Sequence, residues 1–132
     1  MDFFAREPLL DFAGRWLIVL FFLISGVSNL TKARIADHVE RMAGFGVPFP
    51  ATAFWLGIAL QFTGCALLVA DWHAAAGVVC LLVFTIAATG IFHRFWEKTD
   101  PFQRNLSRIN LLGNVAIVGG LLLLLQNMLQ KP

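Results

Sequence analysis

The sequence predicts an all-α fold: an integral membrane bundle of four transmembrane helices, with a short amphipathic interfacial helix in the first loop. Composition is the first sign. Of 132 residues, 58% are apolar and 14% charged, with a mean hydropathy of +0.75, whereas soluble domains run near half apolar and a quarter charged. The second sign is a set of runs, Trp16 to Thr31, Met42 to Ala70, Trp72 to His93 and Ile109 to Gln130, that contain no Asp, Glu, Lys or Arg. A bilayer-crossing helix needs roughly 17 to 25 such residues. Lipid supplies the third argument: backbone polar groups there must be paired within the segment, which selects helices over strands.

Taken in order, the first span is placed at about 12–31, starting near Phe12 so that Arg15 can snorkel outward. The preceding "MDFFAREPLLDFAG" has acidic residues where a signal peptide needs basic ones, so the first helix is expected to stay in the mature protein. In "KARIADHVERMAGFG" the residues Ile35, Val39, Met42 and Gly46 recur at helical spacing, with Arg34, Asp37, His38 and Arg41 on other faces. That pattern is a short helix lying at the membrane surface. Gly44, Gly46, Pro48 and Pro50 end it and turn the chain into a second span at about 52–70. Little more than "DWHA" separates this from a third span at about 73–94, which forces an antiparallel hairpin. The loop "WEKTDPFQRNLSR" carries interfacial Trp96 and Phe102 and a turn at Asp100–Pro101, and the fourth span follows at about 108–128. No repeat or composition shift divides the chain, so residues 1–132 read as one domain. Gly57, Gly64, Gly77, Gly90, Gly113, Gly119 and Gly120 are expected to let helices approach closely. Cys65 and Cys80 fall at similar depth in adjacent helices, and small packing residues describe them better than a redox pair.

Net charge is +2, so there is no basic field for nucleic acid. The placement of the cations says more. Seven of them, Lys32, Arg34, Arg41, Arg94, Lys98, Arg104 and Arg108, fall in the two long loops, and three, Arg6, Arg15 and Lys131, on the other side. The bias puts both long loops in the cytoplasm and both termini outside.

Polar residues inside lipid are costly and turn inward, so they mark any site. Ser25 and Asn29 are four apart, as are Thr85, Thr89 and His93 in succession, and Asn110 and Asn114, so each set shares one helix face. Glu97 extends the third stripe if that helix continues past His93. With alternating helix direction, Asn29, Gln61, Thr89, His93, Asn110 and Asn114 all fall toward the end of the bundle that carries loops one and three. A polar chamber there is the expected binding site, roofed by the amphipathic segment and by "FHRFWEKTD". Plain helix-bridging hydrogen bonds are the competing account of the same residues. His93 and Glu97 have the spacing of a two-ligand metal face, but two ligands do not make a site, and no metal is expected. A neutral imidazole there can instead hydrogen-bond a carbonyl such as that of a quinone headgroup. No nucleophile elbow, HExxH, phosphate loop or pair of buried carboxylates is present, and no span is broken at midplane as in a transporter.

From "RWLIVLFFLISGVSNL" through "GVPFPATAFWLGIALQFTGCALLVA" and "LLVFTIAATGIFHRFW" to "NVAIVGGLLLL", the chain resembles the DoxX family of small four-helix bacterial membrane proteins, related to the DoxD-type subunit of thiosulfate:quinone oxidoreductase. The phrases "GVPFP", "FHRFW" and "GGLLLL", in this order and spacing, carry the resemblance. It implies a lysine where this chain has Asn29, a glutamate where it has Gln61 and a lysine where it has Gly113, so ion pairs of the family's core are replaced by neutral groups. The expectation that follows is an inner-membrane, non-catalytic accessory or anchoring subunit of a quinone-linked oxidoreductase or other large membrane complex, or a homo-oligomer. The alternative is that the chain itself binds a quinone or small redox substrate near His93 and takes part in electron transfer.

Overall fold

The computed structural model describes residues 8–130, so Arg6 and Lys131, used above for orientation, lie outside the described residues. Among the described residues every regular element is helical: α1 (Pro8–Ser28), α2 (Lys32–Gly44), α3 (Pro50–Ala70), α4 (Ala74–Phe92) and α5 (Pro101–Leu129), with one 3-10 turn at Phe95–Glu97. The four helices other than α2 are long and apolar enough to cross a membrane. α2 is the amphipathic helix of the first loop. The first helix begins earlier than the sequence suggests, at Pro8, and ends by Ser28, leaving Asn29 in the turn.

The ends of the helices explain the loops. Thr31 caps α2 by accepting from the Arg34 amide. The helix closes on a Schellman motif: Val47 N–H donates to Met42 O and Gly46 N–H to Ala43 O, while Gly46 takes φ +81°. Pro50 then starts α3 at the position where a missing N–H costs nothing. The turn between α3 and α4 repeats the α2 ending, with Trp72 N–H donating to Leu67 O and Asp71 in the left-handed region that glycine takes at Gly46. Asp100 Oδ2 accepts from Gln103 N–H and, with Pro101, starts α5. At 29 residues, α5 is about 43 Å long, more than a hydrocarbon core of roughly 30 Å requires, so its first turns extend past the membrane.

Packing runs as a chain of neighbours: α1 on α3, α3 on α4, α4 on α5. α3 and α4 meet at Gly64 and Gly77, where a Cβ on either glycine would come 2.9 Å from the other's carbonyl oxygen. Gly26 does the same for α1 and α3, with Phe62 and Gln61 against the space its Cβ would fill. The expectation for the other glycines is corrected: Gly57 makes ordinary contact with Phe84, while Gly90, Gly113, Gly119 and Gly120 border open space. Both cysteines are free thiols.

One apolar core joins Val19 and Phe22 of α1, Leu68 of α3, Leu81 of α4 and Leu121 of α5. A second, smaller one seats α2 on α3 and α4 through Met42, Phe54 and Ile58, with Ile35 and Val39 beside them. Leu17, Ile24, Val83, Ile86 and Leu123 point outward and are exposed. An apolar surface of that extent belongs against acyl chains.

Arg15 does not snorkel. Its guanidinium is 2.7 Å from Asp71 and 3.5 Å from Asp11, and the side chain is only 12% exposed. Asp11 also accepts from Asn127 of α5. This cluster ties α1, the α3–α4 turn and α5 together at the end of the bundle opposite α2.

Candidate functional site

A cavity of about 800 Å³ occupies the end of the bundle covered by α2, within the range of roughly 300–1,000 Å³ typical of ligand pockets. All four long helices and α2 line it. Alternating chain direction brings the end of α1, the start of α3, the end of α4 and the start of α5 together. Phe21, Phe22, Phe54, Phe84 and Phe92 supply flat apolar walls.

Of the residues singled out from the sequence, Asn29, His93, Asn110 and Asn114 line this cavity, with Ser25 and Thr85 among the other polar positions of the stripes. Thr89 stands one step behind: its hydroxyl donates to Thr85 O and accepts from Asn114 Nδ2 at 3.0 Å. That bond orients the Asn114 amide and leaves its oxygen and second N–H available. Gln61 departs from expectation. It is fully buried, is not part of the cavity wall, and donates from Nε2 to Phe22 O at 2.7 Å. The absent Cβ of Gly26 is what lets the side chain swing toward the α1 backbone. Its Oε1 has no hydrogen-bond partner.

The third stripe ends sooner than Glu97. α4 stops at Phe92, His93 caps it by donating its backbone N–H to Thr89 O, and Glu97 instead pairs with Arg94 at 3.6 Å. His93 and Glu97 therefore do not share a helix face. Among the described residues no three His, Cys, Asp or Glu side chains gather as metal ligands. Arg94 packs over the Phe45 ring and donates to Gly90 O, closing the C-terminus of α4.

His38 and Arg41 of α2 were missed as site residues, yet both line the cavity. Ile35, Val39 and Met42 bury the inner stripe of α2, so His38 and Arg41 sit at its border and reach over the opening. The amphipathic segment is expected as a roof; that His38 and Arg41 are the side chains it brings to the cavity depends on its seating against α3 and α4 through Met42, Phe54 and Ile58. His38 packs edge-on against Phe92 at 5.2 Å, and Arg41 lies 5.0 Å above the same ring. The His38 ring donates from Nδ1 to Arg34 O, which leaves Nε2 as the acceptor in the neutral form.

Charge in the cavity wall is one-sided. Among the described residues, Arg41 is its one formal cation and no carboxylate lines it. Burial, then the positive charges of Arg41 and Lys98, hold the His93 imidazole below its ordinary pKa of 6.5, so the ring is neutral at pH 7. Two imidazoles, three amides and a guanidinium make a donor-rich lining suited to carbonyl or other acceptor oxygens.

A family model described as DoxX matches residues 10–94. The chain belongs to the DoxX family. It is also 30% identical over 124 residues, 93% of this chain and 86% of the other, to the Inner membrane protein YphA of Escherichia coli (strain K12). No solved structure matches it significantly. The DoxX match takes in α1 to α4, and the match to the Escherichia coli relative is long enough to include most of α5. Four apolar helices and an inner-membrane relative make this DoxX protein a multi-pass protein of the inner membrane, in contact with lipid.

Proposed function

We propose that this DoxX protein is a subunit that holds a quinone-type redox lipid for a larger membrane oxidoreductase, with the redox chemistry carried out by partner subunits. The cavity is the observation that supports this reading: aromatic walls for a ring, and Asn29, Asn110, Asn114, His93 and Arg41 as donors for its oxygens. A quinone bound there would supply the electron-carrying ring; the protein would hold it, orient it and keep His93 neutral as a hydrogen-bond donor or acceptor. The absence of carboxylates among the described lining residues suits a neutral, acceptor-rich head better than a cation. The seven-to-three bias of cations favours both long loops, and hence the cavity, on the cytoplasmic side.

The test is quinone content after gentle solubilisation. Protein purified in native lipid is expected to retain quinone, and Asn114→Leu and His93→Ala are expected to lose it while Gln61→Leu keeps it. Retention unaffected by Asn114→Leu and His93→Ala in a folded bundle overturns the binding reading and leaves the plain anchoring one. Reporter fusions to the first loop and the C-terminus decide the orientation.

A further inference from the structure

We propose that the ligand enters from within the bilayer, between α1 and α5, and keeps an apolar tail in that gap while its head sits among the polar groups. The proposal rests on the binding reading and adds the route by which such a long-tailed ligand enters and where its tail lies.

The packing order leaves this opening. α1 and α5 both wall the cavity, through Phe21 and Ser25 on one and Gly113 and Ile117 on the other. Yet α1 packs on α3 and α5 on α4, with almost no close backbone approach between α1 and α5 themselves. They are joined below the cavity, where Val19 and Phe22 share a buried core with Leu121 and Leu124, and at the far end, where Asn127 bonds Asp11. By contrast α3 and α4 are the most closely packed pair in the bundle.

The route to water is covered. α2 lies over that end, with Met42 4% exposed and Phe54 6% exposed beneath it. Phe92 is held between His38 and Arg41. A ligand arriving from the aqueous side must displace this cluster, whereas one dissolved in lipid meets only apolar rims. Ile24 on α1 and Leu112 on α5 are exposed toward acyl chains, while Ser25, Asn110 and Gly113 on the same helices line the cavity and Ile109 is both exposed and part of its wall. At Gly113 no atom lies within 4 Å of where a Cβ would stand, so the α5 wall is recessed there. A chain of methylenes fits such a slot without desolvating any polar group.

The experiment uses the full chain in lipid nanodiscs and a benzoquinone carrying a photoreactive diazirine on a long alkyl tail. Saturable labelling, competed by the unlabelled long-tailed quinone, is expected on α1 and α5. Gly113→Leu, which has room to fold, is expected to cut that labelling about tenfold. Gly119→Leu, also beside open space but away from the cavity wall, leaves it unchanged. Saturable labelling confined to α2 or the loops, or labelling indifferent to Gly113→Leu, overturns the lateral route while quinone binding stands. Absence of any competable labelling overturns both.

Discussion

Gly64 and Gly77 face each other across α3 and α4 so closely that a methyl group on either would press to 2.9 Å of the other's carbonyl oxygen. Backbone touches backbone there, and Leu81 fills the flank. Gly64→Ala or Gly77→Ala is therefore expected to destabilise the bundle by about 1–3 kcal/mol through overpacking. Gly90→Ala and Gly119→Ala, which border open space, should change stability by less than about 0.5 kcal/mol. Thermal unfolding in detergent compares the four.

Gln61 is buried with one amide bond made and its oxygen unpaired. Loss of the bond to Phe22 costs about 1 kcal/mol, and removal of the stranded oxygen returns a similar amount. Gln61→Leu is expected to leave the melting temperature nearly unchanged. A large drop would mean that Oε1 has a partner, such as an ordered water.

His93 should titrate with a midpoint below 6.5, because burial and the charges of Arg41 and Lys98 oppose its protonation. The unfolded chain takes up that proton first as pH falls. Stability is thus complete above the unfolded pKa and declines as pH drops from 6.5 toward the lower folded value. Nuclear magnetic resonance titration of the ring reads the midpoint, and Arg41→Gln is expected to move it upward.

The Arg15 cluster should divide unequally. Asp71 is 73% exposed, so Asp71→Asn is expected to cost about 1 kcal/mol and less at high salt. Asp11 is more buried and holds both Arg15 and Asn127, so Asp11→Ala should cost about 2–3 kcal/mol. Equal losses in chemical unfolding would contradict this ranking.

The long helices and α2 were readable because lipid imposes two strong rules, charge-free length and inward polar faces. The stripes Ser25–Asn29, Thr85–Thr89–His93 and Asn110–Asn114 follow from helical spacing alone, and direction alternation brings their ends to one side. What could not be read was contact across helices. Spacing cannot tell that Gly26 lets Gln61 turn onto Phe22, that Arg15 finds Asp71 across 56 residues of chain, or that His38 and Arg41 are the α2 side chains that reach into the cavity wall. Glycines advertise close approach wherever they occur, and only the partner's position decides which of them make it. α4 ends at Phe92, two residues short of the expected 94, for a local reason: His93 leaves the helical region, and Arg94 satisfies Gly90 O instead of a further turn.

α5 leans on α4 and meets α1 through the shared core around Leu121 and the Asn127–Asp11 bond, away from the cavity end. Substitutions on its inner face can reshape one side of the chamber without disturbing the glycine seam or the α2 roof. Variation at inner positions such as Gly113, which lines the cavity beside open space, therefore meets little structural resistance.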